Sequence, residues 1–253
     1  MPIFSWKAKR QLVVFGALIL AGAAVIAYLA FLAVPEATCF DNRQNQGEEG
    51  VDCGGPCTPC LANLSEPVVL WSRFFQLGEG LYEAAAFIEN IHNFAAADRA
   101  FYRVKLYDAN NILISQRAGE TYINPAERFL ILEPGLFTGE RKPVRVSIEF
   151  EPTRWRYADY AKPNILVVRR DFTLTPSPRL SVTIRNAGSA DRANLQASAI
   201  LLDAAGNAYG ASQTAVEELR AGAERVLSFS WPTGAVTTEP SAIDVLVRTP
   251  APR

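Results

Sequence analysis

The chain contains very little histidine: one residue, His92, among 253. Catalytic triads and many general-base mechanisms use a histidine, so this scarcity argues against enzymes of those classes. The sequence also lacks a glycine-rich phosphate loop, a paired-carboxylate signature and an H-E-x-x-H motif. We therefore expect a protein that is not an enzyme, with no catalytic residues.

A strong charge of either sign is also missing. The formal net charge is −1, and no long run of lysine or arginine occurs. Both nucleic acids and anionic membrane surfaces attract proteins through concentrated positive charge. Neither is therefore expected as the main partner, and we predict no nucleic-acid binding.

Charge is absent altogether from residues 12–34, an uninterrupted apolar run. As a helix this run would extend about 34 Å, enough to cross a hydrocarbon core of about 30 Å. Three basic residues precede it and two acidic residues follow it, namely Lys7, Lys9, Arg10, Glu36 and Asp41. The excess of positive charge before the run favours a single-pass protein of the cell membrane with a cytoplasmic N-terminus, residues 1–11.

A cleaved signal peptide is the alternative interpretation of the same run. Ala30 and Ala33 provide small residues of the kind found at cleavage sites. The apolar run is longer than the usual core of a signal peptide, which favours an uncleaved anchor. Either way, the bulk of the chain is predicted to be extracytoplasmic.

Cysteine is missing everywhere except in residues 39–60, which contain Cys39, Cys53, Cys57 and Cys60. Outside the cytoplasm thiols are usually oxidised, so two disulfides are expected, in any of three pairings. A zinc site with four cysteine ligands is an alternative, although only Cys57 and Cys60 have C-x2-C spacing. The same two residues could form a thiol redox centre, but no βαβ pattern surrounds them.

Oxygen-bearing side chains are spaced along the same segment at Asp41, Asn45, Glu48 and Asp52. Oxygen ligands in a glycine-rich loop suit a hard cation, so calcium is a possible cofactor here. Asp and Asn side chains that bond to their own backbone in turns explain the same residues without a metal. Both interpretations stay open, and no other cofactor is expected.

The segment resembles a cysteine-rich motif of bacterial and archaeal surface proteins, C-x-D-G-x-x-N-x-x-E-x-x-x-D-C-G-G-x-C-x-x-C. The four cysteines, the four oxygen-bearing residues, Gly54 and Gly55 all match the motif, and Asn42 replaces its usual first glycine. The resemblance implies a spacer or module beside extracytoplasmic domains, without an established catalytic role.

An internal repeat organises the rest of the chain. The sequence IHNFAAADRA at residues 91–100 recurs as IRNAGSADRA at residues 184–193, with six identities in ten positions. Short segments with period-two alternation or β-branched residues predict strands in both copies, separated by turn clusters. One possible exception is residues 212–220, which could hold a helical turn.

These patterns predict a mainly β fold: two tandem immunoglobulin-like β-sandwiches behind one N-terminal transmembrane helix. The predicted boundaries are residues 35–66 for a cysteine-rich module and linker, 67–162 for the first β-sandwich and 163–253 for the second. The segments VKLYD at 104–108 and AILLD at 199–203 are similar to the F-x-L-Y-D signature of FxLYD domains, related to bacterial CARDB domains. That resemblance implies extracytoplasmic β-sandwiches with a binding, adhesion or spacer role.

Candidate functional residues are few. The segment RWRYADYAKP offers Trp155, Tyr157 and Tyr160 as a binding surface, because aromatic residues and arginines are favoured at such surfaces. Its position between the copies also fits interdomain packing. His92 is expected to face solvent from a strand.

Two pairs of repeated features complete the candidates. The dipeptides at 98–99 and 191–192, both Asp-Arg, could form local ion pairs or an anion site. Asp108 and Asp203 follow apolar strands, so we expect them to cap turns.

The expected function is a membrane-anchored, extracytoplasmic, non-catalytic protein for binding, adhesion or envelope structure, with a protein or cell-wall partner. The alternative is an accessory subunit of a membrane-bound envelope, secretion or pilus complex. For that role, Gly16, Gly22, Ala23 and Ala24 would form a small-residue contact face on the span.

Overall fold

A computed structural model describes residues 6–32, 38–62 and 64–252. The chain divides into two compact units, Met1–Ala62 and Asn63–Arg253. The fold is mainly β, with several antiparallel sheets and one N-terminal apolar helix, which confirms the predicted fold class at that level.

The helix, α1, spans Trp6–Leu32. Its segment Arg10–Leu29 has a mean hydropathy of 2.6 and is long and apolar enough to cross a membrane. The helix begins at Trp6, before the predicted span, so it includes the basic residues that precede that span. Residues 33 and 34 of the predicted span, with Ala33 of the candidate cleavage site, lie outside the described residues.

The second unit consists of thirteen strands among the residues that the structure describes. The first seven are β1 (Val68–Gly78), β2 (Leu81–Glu89), β3 (Ala95–Tyr107), β4 (Leu113–Ile123), β5 (Arg128–Phe137), β6 (Arg145–Phe150) and β7 (Arg156–Tyr157). The other six are β8 (Ile165–Thr173), β9 (Arg179–Asn186), β10 (Arg192–Leu202), β11 (Ala208–Leu219), β12 (Glu224–Ser230) and β13 (Ala242–Arg248).

The same strand order occurs twice along the unit. The first half pairs its strands in the orders β1-β2-β5 and β4-β3-β6, and β7 adds to the start of β3. The second half has the orders β8-β9-β12 and β11-β10-β13. We refer to residues 64–162 as the first half and to residues 163–252 as the second half.

Each half has its own apolar core, to which both of its sheets contribute. Ile88 and Phe129 of one sheet pack with Leu106 of the other in the first half. Leu180 and Phe229 pack with Leu201 in the same way in the second half. Alternation along β3 aims every second side chain inward, which is why period two marked this strand in the sequence, whereas β10 is buried on both faces. The immunoglobulin-like character of each half stays a prediction.

Two aspartates cap equivalent turns in the two halves. Asp108 Oδ1 accepts hydrogen bonds from the backbone N–H groups of Asn110 (3.0 Å) and Ile112 (2.9 Å). Asp203 Oδ1 accepts the equivalent bonds from Ala205 (2.9 Å) and Asn207 (2.8 Å). The turns after β3 and β10 therefore owe their shape to the same local bond, as expected for aspartates that follow strands.

A third buried cluster joins the two halves. Ala85 and Leu130 of the first half pack against Ile200, Ala208 and Ala211 of the second. Partly buried aromatic and aliphatic side chains surround these five residues: Trp71, Phe75, Phe87, Leu132, Leu202 and Leu246. The halves are thus docked through an apolar junction and are not separated by an exposed linker.

Two local expectations were wrong. Residues 212–219 belong to strand β11, so they contain no helical turn. His92 lies in the loop between β2 and β3 and is partly buried, whereas the sequence placed it on a solvent-facing strand. In both places pairing and packing with distant segments decided the conformation.

Candidate binding surface and cysteine-rich module

The four cysteines form two disulfides, Cys39–Cys57 and Cys53–Cys60. The paired Cα atoms lie 5.6 Å and 4.8 Å apart, within the usual range for such bridges. The expectation of two disulfides is confirmed, and one of the three pairings is selected. With no free cysteine in the described chain, this arrangement provides no thiolate for a four-cysteine zinc site or a thiol redox centre.

Asp52 organises the start of the module. Its Oδ1 accepts hydrogen bonds from the backbone N–H groups of Asp41 (2.9 Å) and Asn42 (3.1 Å). Asp41 in turn accepts a bond from the backbone N–H of Arg43 (2.9 Å). Its other oxygen accepts from the Asn45 amide (2.8 Å), and this side-chain bond is the main reason that the pKa of Asp41 is lowered.

Glu48 is the buried carboxylate of the module, 6% exposed. Its Oε2 accepts from the backbone N–H groups of Asn45 and Asp52, both at 3.2 Å. Its Oε1 lies 3.1 Å from Cys57 Sγ. A disulfide sulfur carries no proton, so this is a sulfur–oxygen contact and not a hydrogen bond. The proximity of Glu48 to Cys39 and Cys57 does not form a metal site either, because the two sulfurs bond each other.

The four predicted calcium ligands therefore lie in one loop, but their carboxylates accept backbone donors as turn caps do. Asn45 Oδ1 is buried without a described partner, so one oxygen in the cluster is unused. A carboxylate has further lone pairs beyond those used here. The contacts match the turn-forming interpretation, and calcium binding at Asp41, Asn45, Glu48 and Asp52 stays a prediction.

Trp155 lies beside a surface groove on the first half. The groove has a volume of ≈ 680 Å³ and is called the aromatic groove below. Its lining consists of Asp98, Arg99, Phe101, Glu151, Pro152, Arg154, Trp155 and Arg156. The Trp155 ring packs against the core of the first half, and its Nε1 is buried without a described partner.

The Asp-Arg dipeptide of the first half bridges the walls of this groove. Asp98 Oδ1 accepts from Arg156 Nε at 2.9 Å. Arg99 pairs with Glu120, and its guanidinium lies over the Phe101 ring, 5.1 Å from the centroid. Exposed pairs of this kind contribute little stability, so they mainly fix the orientation of the arginines.

The other two predicted binding residues lie elsewhere. Tyr157 is half exposed on β7 and stacks with Phe94, with ring centroids 6.5 Å apart. Tyr160 packs at the junction beside Ala96, Ala158 and Ala251, and burial raises the pKa of its hydroxyl. The structure therefore does not bring Trp155, Tyr157 and Tyr160 together in one groove; Tyr160 has the packing role that was the alternative.

His92 also has a packing environment. Its ring meets the edge of Trp155, with centroids 5.5 Å apart, and its Nε2 lies 3.3 Å from Ser65 Oγ. The dipeptide of the second half has a different structural role from that of the first, since Asp191 Oδ1 accepts from the backbone N–H of Ala221 at 2.8 Å.

Sequence reasoning missed the polar part of the junction. Arg248 is 4% exposed, and its guanidinium lies over the rings of Tyr122 (3.9 Å) and Phe129 (4.2 Å). Its Nη2 lies 3.4 Å from Glu127 Oε2 and also donates to the Tyr122 carbonyl. The strand pattern of residues 242–248 gave no sign that this arginine is buried.

Neither a scan against protein-family models nor a search of curated proteins finds a match to this chain. The resemblances to the cysteine-rich surface motif and to FxLYD and CARDB domains therefore stay predictions.

Proposed function

We propose that this chain is a membrane-anchored, extracytoplasmic protein that binds a protein or cell-wall partner without catalysing a reaction. Helix α1 would hold it in the cell membrane with the N-terminus in the cytoplasm. The disulfide module and both β halves would then lie outside.

Two features support this location. The apolar helix has the length of a membrane span, and the basic residues in its first turns favour the cytoplasmic side. Both disulfides lie beyond it in the chain, and disulfides persist in oxidising compartments. A cytoplasmic position for the module would leave these bridges exposed to reduction.

The observation that carries the binding role is the aromatic groove, which is formed at the surface of the first half. The aromatic groove offers an exposed Phe101 and three arginines, the residue types favoured at protein interfaces. We propose this groove as the general binding surface.

The alternative role, an accessory subunit of a membrane-bound complex, would depend on contacts of the span. Gly16 and Gly22 have open space at the position of a side chain, so another helix could approach there. Small residues are common in spans, and we therefore rank this role second.

The deciding experiment uses the full-length protein purified in mild detergent and mixed with two fractions from the same cells: wall material and solubilised membrane proteins. Binding to wall material or to an extracytoplasmic protein that Phe101→Ala weakens supports the proposal. The matched control is Phe40→Ala, an exposed phenylalanine outside the groove. Co-purification with membrane proteins that survives Phe101→Ala and is lost on Gly16→Leu would favour the accessory-subunit role instead.

A further inference from the structure

A second groove lies between the two halves and is called the junction groove below. It has a volume of ≈ 660 Å³. Its floor and walls include Phe74, Phe75, Tyr209 and Gln76, and two arginines, Arg73 and Arg145, border it. No aspartate or glutamate lines it, which distinguishes it from the aromatic groove with its mixed charges.

Both arginines are exposed and held by neutral groups. Arg73 Nη2 donates to Asn207 Oδ1 at 2.8 Å, and Arg145 Nη2 donates to Asn111 Oδ1 at 2.6 Å. The Arg145 guanidinium also lies 3.9 Å from the centroid of the Tyr107 ring. Neither arginine forms an ion pair among the described residues, so their positive charges are not neutralised by a bound carboxylate.

The acidic groups nearest to these arginines are already engaged by their own turns. The backbone N–H of Asn207, which donates to Asp203 Oδ1 in the capped turn, is the main reason that the pKa of Asp203 is lowered, and the nearby charge of Arg73 contributes less. Asp108 caps the turn that presents Asn111, and its Oδ2 lies 3.4 Å from Arg141. The duplicated aspartate turns thus place one amide beside each arginine of the groove.

Unpaired strand edges border the same groove. β1 and β6 are terminal strands of their sheets in the first half, and β11 is terminal in the second. Ser72 Oγ donates to the Val146 carbonyl at 3.3 Å, so the edges of β1 and β6 are held close together. Terminal strands present backbone N–H and C=O groups that an extended polypeptide can bond.

We propose that the junction groove binds an extended, acidic peptide segment of a partner protein. Carboxylates of the segment would pair with Arg73 and Arg145, because a guanidinium binds a carboxylate through two parallel hydrogen bonds. Its apolar side chains would contact Phe74 and Phe75, and its backbone would bond a strand edge. This inference rests on the proposed binding function and adds to it a second binding surface, with the chemistry of the partner segment that the surface would take.

A peptide is favoured over an anionic sugar polymer by two observations. The groove combines its positive charge with two phenylalanine rings, and three strand edges meet around it. A polysaccharide would use the arginines but would gain little from the strand edges. The experiment therefore compares an acidic peptide with an anionic sugar polymer.

The test measures fluorescence anisotropy of a labelled peptide with the full-length protein in detergent. The probe is an 11-residue peptide in which glutamate alternates with valine, so that it matches β1 in length. Probes for comparison are the matched glutamine–valine peptide, polygalacturonate and inorganic phosphate. The variants are Arg73→Gln and Arg145→Gln; the control is Arg170→Gln, which removes an exposed charge from β8 outside the groove.

We expect saturable binding of the glutamate peptide, weakened roughly tenfold by each groove variant and unchanged by the control. The glutamine peptide should bind at least about tenfold more weakly. Thermal unfolding checks that the variants fold, which is expected for exposed arginines. Two results overturn the inference: polygalacturonate or phosphate binds more tightly than the glutamate peptide, or the peptide binds equally well when Arg73→Gln and Arg145→Gln are combined in one protein. The protein could still bind wall material or an extracytoplasmic protein in the experiment described under the proposed function. In that case the proposed function stands and only the peptide inference fails.

Discussion

Asn124 in the first half holds the segment that follows the last strand of the second half. Its Nδ2 donates to the Thr249 carbonyl at 2.9 Å, and its Oδ1 accepts from the backbone N–H of Ala251 at 2.8 Å. Asn124 is 1% exposed, so these bonds lie in the interior. Buried polar groups need hydrogen-bond partners. This contact therefore favours one relative position of the two halves in addition to holding them together.

Replacing Asn124 with alanine should destabilise the docked halves. The change leaves the Ala251 N–H buried without its acceptor, at a cost of about 1–3 kcal/mol for an unsatisfied group. The Thr249 carbonyl keeps only the longer bond from the Tyr160 hydroxyl (3.5 Å). Denaturant unfolding of the full-length protein in detergent measures the loss. The exposed Asn110→Ala serves as control, and an equal effect of both variants would contradict the role of Asn124.

Two buried asparagines are expected to be equivalent in the two halves. Asn90 Nδ2 donates to the carbonyls of Ala95 and Asn124, both at 2.8 Å. Asn186 Nδ2 donates to the carbonyls of Ala190 (2.9 Å) and Leu219 (3.1 Å). Asn90 joins the start of β3 to the loop after β4, and Asn186 joins the loop before β10 to the end of β11.

Asn90→Ala and Asn186→Ala should each lower the free energy of unfolding by about 1–3 kcal/mol, because two carbonyl groups lose a donor. Asn93→Ala should have little effect, since Asn93 is exposed. Thermal or denaturant unfolding of the three variants decides the matter. A large loss for Asn93→Ala, with none for Asn90→Ala, would show that the equivalence is misassigned.

Glu83 makes the stability of the second unit depend on pH. It is 6% exposed on β2, opposite Phe75 of the junction cluster, and burial raises its pKa to about 7 from 4.5. Because the folded pKa is the higher one, the folded state binds the proton more tightly than the unfolded state. Stability from this group is fully present below pH 4.5 and is lost as pH rises through about 7.

Glu83→Gln should remove this part of the pH dependence and make the protein more stable than wild type above about pH 7. The change in stability is measured as the melting temperature at about pH 5 and pH 8. The proteins compared are wild type, Glu83→Gln and the exposed control Glu79→Gln. If wild type and Glu83→Gln lose the same amount of stability between the two conditions, the buried carboxyl is not the cause.

The disulfide pairing is testable by removing cysteines in pairs. Replacing Cys39 and Cys57 together with serine removes one bridge and should leave no free thiol. Replacing Cys39 and Cys60 instead breaks both bridges and should leave two thiols that react with an alkylating agent. Intact mass after alkylation without reductant distinguishes the variants, and the opposite outcome would require another pairing.

Local patterns were enough to predict the β-rich fold and the apolar helix. The turns after β3 and β10 depend on bonds within a few residues, so the sequence indicated the aspartates that form them. The internal repeat, in contrast, indicated the wrong structural counterpart for one asparagine. The recurring segments align Asn93 with Asn186, whereas the hydrogen bonds make Asn90 the counterpart of Asn186. Loops of different length between strands shifted the match away from the structural equivalence.

The binding surface depended on contacts that no local pattern contains. Trp155, Tyr157 and Tyr160 are neighbours in sequence, but one borders a groove, one stacks on Phe94 and one packs at the junction. The arginines of the junction groove, Arg73 and Arg145, are far apart in the chain and carry no motif. The approach of β1 to β6 within the first half brings them to one groove, and the second half adds Tyr209 to its lining.

The most direct test of the central claim, a disulfide-containing binding protein displayed outside the membrane, is the topology of the full-length chain. Epitope tags at the two ends can be stained with antibody in spheroplasts before and after permeabilisation. A protein displayed outside the membrane should have its C-terminal tag stained in intact spheroplasts and its N-terminal tag stained only after permeabilisation. Staining of the N-terminal tag alone in intact spheroplasts would place the β halves in the cytoplasm and exclude the proposed location.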